Sequence, residues 1–428
     1  MIKNKLQAFI ILLPLLFLIS CQANNNNKVK PTLPDETESK SAKSIKGETI
    51  STSENIDAAN IYLENSGSMY GYVSGGGDFS SVISTIAADC DLLFSKVNYN
   101  LVNGKLTNLG TNLTSFLKPV SSVSAMKVGD PTTSDLNSIF EKILEKAGNG
   151  NISILISDGI YSVNGTGLIS KLKTQSTVTR NKFVKRLKVE NLTTFLIKYE
   201  SKFKGNYYPA KGSQIKLDQN RPYYVWVIGE ADLIKSKFKE GYFQNQPGFV
   251  DIVKFVKLNS GDVSCQYVMH NIKGSARVGN DKLVLNNADV NARREFAFSL
   301  AFDFSKVPYN EEYFRNDNVY SNDKGYTVTE ISASTDLKPV AQVGLDTEKF
   351  KHVVTFSKKG PPWGTMEVVV KNIVPNWIAE TNTDDDSIII DNTSQTYGFK
   401  YLIDGIANGY SYVKKTEDIA KFQININK

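Results

Sequence analysis

The chain has 428 residues, with 50 Lys and Arg against 44 Asp and Glu, a formal net charge of +6. Acidic and basic residues are mixed along its length and no dense Lys/Arg block is interleaved with aromatics, which argues against a nucleic-acid partner. Its three cysteines lack metal-ligand spacing, which excludes a Cys-rich metal site.

The first residues carry the clearest signal. Lys3 and Lys5 form a short positive region, and Ala8 to Ile19 is an apolar run containing only Pro14 as a break. That run is too short and too one-sided for a membrane span. With a small residue, Ser20, before Cys21, the pattern is a secretory signal. Leu18-Ile19-Ser20-Cys21 resembles the lipobox of bacterial lipoproteins. The resemblance implies cleavage before Cys21, diacylation of Cys21 and acylation of the new N-terminus. Two or more acyl chains hold a protein stably at a bilayer. Gln22 is not the Asp associated with inner-membrane retention in some bacteria, which favours the outer membrane. Residues 22–55 are rich in Asn, Lys, Pro, Thr, Ser and Glu and poor in apolar side chains, so they are expected to form a disordered tether. The expected organisation is therefore a signal peptide over 1–20, a lipidated cysteine and tether over 21–55, and about 370 further residues, enough for two domains.

Ala59 to Leu63 predicts a short strand, followed by the polar loop Glu64-Asn65-Ser66-Gly67-Ser68-Met69-Tyr70-Gly71. Asp78 stands at an N-cap position, and Phe79, Val82, Ile83, Ile86, Ala87 and Cys90 repeat at helical spacing. Cys90 thus falls on an apolar face. An oxidising compartment would permit a bond to Cys265, but a buried free thiol suits that face better. A strand follows near residues 96–102, while 106–120 reads as a further strand and a loop. The next helix is predicted over Thr133 to Ala147, capped by Thr133 or Ser134 and ended by Gly148. Asn151 to Ile156 is a near-continuous apolar strand that breaks at Ser157-Asp158-Gly159; such strands suit a sheet covered on both faces. A basic helix over 177–189, strands at 192–199 and 223–228, and a helix over 231–239 complete an α/β domain over 56–245. This alternation predicts a doubly wound, mostly parallel sheet. Residues 205–222 replace one expected helix with either a hairpin or a long surface loop.

Beyond residue 245 the pattern changes. Phe296, Phe298, Leu300, Phe302 and Phe304 alternate strictly, as in a half-buried strand. Strands are also expected at 340–345, 352–356, 366–370 and 397–402. With no convincing helix, residues 246–428 read as an all-β, sandwich-like domain.

Three segments could carry chemistry: Glu64-Asn65-Ser66-Gly67-Ser68-Met69, Thr132-Thr133-Ser134-Asp135, and Ser157-Asp158-Gly159. Each lies past a strand's carboxyl end or at a helix start, the edge where open α/β sheets bind ligands. In this order they resemble the von Willebrand factor A (vWA) domain, a Rossmann-like fold, and its metal-ion-dependent adhesion site. That family carries Asp-x-Ser-x-Ser after the first strand, a Thr before a middle helix, and an Asp after the fourth strand. The resemblance implies Ser66 and Ser68 as hydroxyl ligands, Thr133 as a third with Thr132 as the fallback, and Asp158 acting directly or through water. Glu64 stands where the family has Asp and would act through water. Hydroxyls and carboxylates suit a hard divalent cation, Mg²⁺ first, with Mn²⁺ or Ca²⁺ as alternatives. Tyr70 and Tyr72 flank the loop as candidate ligand contacts.

Weaker candidates are Glu380, Asn382, Asp384, Asp386 and Asp391, which resemble a Ca²⁺ loop except that Asp385 sits where Gly is required, and the exposed-or-core tyrosines Tyr207, Tyr208, Tyr223 and Tyr224. His270 and His352 belong to no visible Ser/His/Asp arrangement, and there is no nucleophile elbow or His-Glu-x-x-His. The expectation is a non-enzymatic envelope protein, held to a membrane by its lipid, that binds a protein or acidic ligand through a divalent metal. The alternatives are a metal-independent scaffold for an envelope complex and a metal-dependent hydrolase. Cys21→Ser is expected to abolish incorporation of labelled palmitate and to move the protein from the membrane to the soluble fraction of its bacterial host, as read by fractionation.

Overall fold

A computed structural model describes residues 57–130, 134–163, 165–258, 261–309 and 311–428. Cys21, the signal segment, the tether, Thr132 and Thr133 lie outside these residues. Seven strands, β1 (Ala58–Glu64), β2 (Lys96–Val102), β3 (Leu106–Gly110), β4 (Asn151–Ser157), β5 (Thr193–Tyr207), β6 (Ile215–Gly229) and β7 (Phe249–Val256), form one sheet in the order β3-β2-β1-β4-β6-β5-β7. β1 lies between parallel neighbours β2 and β4. Side chains of β1 and β4 alternate between two cores: Ala59, Ile61, Leu63, Ile152, Ile154 and Ile156 enter one, Tyr62 and Leu155 the other. Burial on both faces explains their apolar runs. The Phe79–Leu93 helix covers the first face with Val82, Ile83, Ile86 and Cys90. The Leu136–Lys146 helix covers the second with Ile139, Phe140 and Ile143. Asp135, rather than Thr133 or Ser134, caps that helix, accepting from the Asn137 N–H.

Parallel pairing stops at β2, β1 and β4. β3 on β2, β6 on β4, β5 on β6 and β7 on β5 are all antiparallel, which corrects the expectation of a mostly parallel sheet. The cause is local. β5 turns straight into β6, and a hairpin partner must run antiparallel. Residues 205–222 therefore belong to a hairpin, paired from Thr193↔Gly229 to Tyr207↔Ile215. Tyr224 of β6 lies level with Ser157 at the end of β4, so the distal half of the hairpin projects past the carboxyl edge of β1 and β4.

The remaining strands are β8 (Ser264–Lys273), β9 (Ser275–Val278), β10 (Val284–Asp289), β11 (Glu295–Asp303), β12 (Tyr320–Asn322), β13 (Thr327–Ala333), β14 (His352–Lys359), β15 (Gly364–Val370), β16 (Asn382–Thr383), β17 (Thr396–Tyr397) and β18 (Ala420–Ile426). They form one sheet β13-β14-β11-β8 and another β12-β15-β18-β10-β9, with β16 and β17 as a separate pair. The alternating Phe296, Phe298, Leu300 and Phe302 of β11 share a core with Phe356 of β14 and with Met366 of β15, so both larger sheets face it.

Three expectations for the second half are corrected. β7 begins after residue 245, yet it is the edge strand of the large sheet on β5. Val340 to Leu345 gives a short helix, Pro339–Gln342, instead of a strand. Residues 397–402 open a 16-residue helix, Phe399–Lys414. Its Phe399, Leu402, Ile403, Ile406 and Tyr410 join the second core of the large sheet, and the Tyr410 and Thr194 hydroxyls hydrogen-bond at 2.8 Å. This helix lies close against the Leu168–Leu187 helix because Gly405 and Gly409 face it. A Cβ at 405 would fall 2.6 Å from the Ser176 carbonyl oxygen, and one at 409 would fall 2.8 Å from Phe183 Cβ. Cys90 is buried and, like Cys265, a free thiol.

Helix propensity alone predicts that Gly405→Ala stabilises the protein by about 1 kcal/mol. The clash with Ser176 and Thr179 reverses that sign. Urea unfolding is expected to show a net loss of ~1–3 kcal/mol, whereas Asn408→Ala, on the exposed side of the same helix, shows none.

Candidate functional site

β1 and β4 are neighbours in register, so the loops that follow them start side by side. Glu64 ends β1 and Ser157 ends β4. After Glu64 the chain turns through Asn65, whose side-chain amide donates to the carbonyls of Met126 (3.0 Å) and Val128 (2.7 Å). Gly67–Met69 then forms a single 3-10 turn, closed by Met69 N donating to Ser66 O at 3.0 Å. After Ser157, Gly159 takes φ +69°, a conformation that favours glycine. This lets Gly159 N donate to Ser157 Oγ (3.0 Å) and Ile160 N donate to Asp158 Oδ1 (3.1 Å).

These turns bring four of the five expected site residues together. Ser66 Oγ donates to Glu64 Oε1 at 2.8 Å and lies 3.1 Å from Ser68 Oγ. Ser157 Oγ donates to Glu64 Oε2, and Ser68 supports the Asp158 carboxylate. The fifth, Thr133, lies outside the described residues. Its neighbour Ser134 places a buried hydroxyl beside Glu64, favouring the charged carboxyl at a geometry looser than an ordinary hydrogen bond.

Glu64 and Asp158 are each only 2 % exposed. Burial, then the charge of Asp158, pushes the Glu64 carboxyl up to about 7, against the opposing pull of Ser134, Ser157 and Ser66. Burial likewise raises Asp158, opposed by Ser68, the Ile160 N–H and the positive charge of Arg221. Two buried acids that face each other do not both ionise without a compensating charge. Arg221 supplies one. It is 1 % exposed, its guanidinium lies 4.6 Å from the Tyr207 ring centroid, and it donates to the carbonyls of Thr393 (3.3 Å) and Gln395 (3.4 Å). Two ionised carboxylates and one guanidinium leave a formal charge of −1.

The donor set fits a hard cation. Ser66 and Ser68 oxygens 3.1 Å apart match the spacing of adjacent ligands around an ion bound at about 2.1 Å. Among the described residues no three His, Cys, Asp or Glu side chains converge, so hydroxyls would supply the ligands beyond the two acids. The loose Ser134 hydroxyl is a further available oxygen.

The projecting hairpin walls one side of the cluster. Gly71 abuts Phe203 and Gly75 abuts the Lys202 carbonyl, where any Cβ would clash. Tyr72 packs edge-on against Phe203 at 5.0 Å, donates its hydroxyl to the Pro222 carbonyl and is 1 % exposed. It is therefore a core residue and not a surface contact for a ligand. Tyr70 remains part-exposed, with Lys127 5.8 Å from its ring centroid. Tyr207, Tyr223 and Tyr224 are buried, while Tyr208 is exposed. Ser68 and Ser134 are the less buried edge of the cluster. In the acidic run, Asp386 is buried and accepts from Tyr207 Oη (2.9 Å) and Ala210 N (3.0 Å), so it latches the hairpin.

Sequence reasoning missed Arg221 and Ser157 as members. Ser157 lay within a quoted motif. Arg221 had one signal, a cation set directly before the apolar half of a strand.

No family model, characterised protein or solved structure matches the chain. Fold and site together define a mixed α/β protein with an oxygen-rich, buried cluster at the carboxyl edge of parallel strands.

The raised carboxyl has a pH signature. Below its ordinary value of 4.5, Glu64 is neutral in both folded and unfolded chains. Between there and about 7, only the unfolded chain ionises, so the stability from this group is lost as pH rises. In chelator, urea unfolding from pH 4.5 to 8 is expected to show a decline in stability that is shallower in Glu64→Gln, the remainder belonging to Asp158 and the other buried acids. An unchanged slope in the variant would exclude Glu64 as a source.

Proposed function

We propose that the chain is an envelope-tethered binding protein. A vWA-like domain, extended by the antiparallel strands, presents the carboxyl-edge cluster to an acidic group on a protein or smaller ligand through a divalent cation, Mg²⁺ first. The lipid on Cys21 and the polar tether supply the address, the outer membrane ahead of the inner. The β-rich remainder, a sandwich-like module, positions the domain or adds contacts.

One observation carries this reading: Ser66, Ser68, Glu64 and Asp158 meet in one hydrogen-bonded cluster, although Glu64 and Ser157, which join its two loops, stand 93 positions apart. Ser66, Ser68 and Thr133 would hold the cation through hydroxyls, Asp158 directly or through water, and Glu64 through water. When bound, it supplies positive charge that a ligand carboxylate can complete. The half-buried edge at Ser68 and Ser134 is the side from which such a ligand would approach.

Arg221 favours a second arrangement. Its guanidinium already places a positive charge beside Asp158, so the cluster would serve as a rigid, metal-free scaffold for an envelope partner. Calorimetric titration with Mg²⁺ and Mn²⁺ separates the two. Cation binding predicts one saturable site that weakens at least about tenfold in Ser68→Ala and in Asp158→Ala. The scaffold predicts no binding in the wild type and a gain of cation affinity in Arg221→Gln, where the competing charge is gone.

A further inference from the structure

A cleft of about 460 Å³ lies where β5, β7 and the segment after the Ala231–Lys237 helix meet residues 304–309, 311–314 and 348–352. It shares no residue with the carboxyl-edge cluster and stands whether or not that cluster takes a cation. Its apolar wall is aromatic, with Phe195, Phe238, Phe304 and Phe314 contributing. Lysines outnumber glutamates along it by five to three, and the pairing among them leaves cations over. Glu311 is taken by Lys351 at 3.5 Å. Lys349 leans on Asp303 at 3.7 Å. Glu240 and Glu348 are exposed residues of the lining.

Lys254, Lys235 and the exposed Lys239 are the cations left over, and of these Lys254 and Lys235 are held against the wall. Lys254 Nζ sits 4.8 Å from the centroid of the Phe195 ring. Lys235 Nζ donates to the carbonyls of Ser305 (3.1 Å) and Val307 (3.4 Å). Among the described residues neither makes an ion pair. Burial pulls the Lys254 ammonium down to about 8; Glu240 opposes the shift, and the charge of Lys235 adds to it. Glu240 draws on both ammonium groups and Asp232 on Lys235, yet among the described residues neither acid forms an ion pair with them, so the desolvation of Lys254 is only partly offset and an anion in the cleft would relieve it. His352, on the same wall, is held toward its neutral form by burial and adds a hydrogen-bonding group with little charge. No arginine lines the cleft, so the bidentate fork that favours phosphate is missing. A concave site of this size, with an aromatic wall and charged groups around it, suits a small organic molecule that itself carries a charge.

We propose that this cleft binds a small organic carboxylate with an aryl or acyl body, the carboxylate held by Lys254 and Lys235 and the body laid against Phe195, Phe238 and Phe304.

The test compares 4-phenylbutyrate with 4-phenylbutan-1-ol, which has the same body and no charge, by calorimetric titration of the purified protein. The acid is expected to saturate one site and to bind at least about tenfold more tightly than the alcohol. Lys254→Met keeps the apolar stem over Phe195 and is expected to bring the acid down to the alcohol's affinity. Lys254→Arg, which keeps the charge, retains most of the difference. Lys235→Met, on an exposed helix, weakens the acid selectively and serves as the test should the Lys254 variant fail to fold. The proposal is overturned if the acid does not bind, if acid and alcohol bind equally, or if well-folded Lys254→Met and Lys235→Met both leave the acid's affinity unchanged.

Discussion

Two carboxyl groups buried at the ends of adjacent strands set the terms for everything around them. A single unpaired carboxylate removed from water costs several kcal/mol, and Glu64 and Asp158 share one small volume. The molecule answers with hydroxyls on short local turns: Ser66, Ser157 and Ser134 toward Glu64, Ser68 toward Asp158. It adds one long-range cation, Arg221. Bringing that arginine to the site requires the hairpin of β5 and β6 to stand beyond the sheet edge. The hairpin in turn needs support, which Asp386 gives to Tyr207 and Ala210 and the carbonyls of Thr393 and Gln395 give to Arg221 itself.

What could be foreseen from the sequence divides along this line between local and distant. The polar loop after an apolar strand announces Glu64, Ser66 and Ser68, and Ser-Asp-Gly after another announces Asp158, because each depends on a few consecutive residues. Arg221 depends on a fifteen-residue strand pairing and on which way that hairpin leans, neither of which is written near it. Tyr72 shows the same limit from the other side. Its place beside the loop suggests a contact residue, and only the hairpin overhead makes it core.

The Phe399–Lys414 helix was hidden by its own packing device. Its apolar residues repeat at helical spacing, but Gly405 and Gly409 read as breaks in a helix. They are the positions at which a neighbouring helix approaches too closely for any side chain. β7 escaped for another reason. The change of composition near residue 245 marks where helices become scarce, whereas the large sheet continues for one more strand and then regains a helix from the far end of the chain. The strictly alternating β11, by contrast, could be read directly, because which of its side chains face the core follows from a period of two.

That returning helix has a consequence for how the protein is made. The second core of the large sheet holds side chains from β1 and from residues 399–410, far later in the chain. A chain delivered N-terminus first therefore spends much of its synthesis with that face covered only by the Leu136–Lys146 and Leu168–Leu187 helices and the place of the Phe399–Lys414 helix open. Long-range closure of this kind slows folding and exposes apolar surface to aggregation meanwhile. The second core is complete only once residues 399–410 have docked.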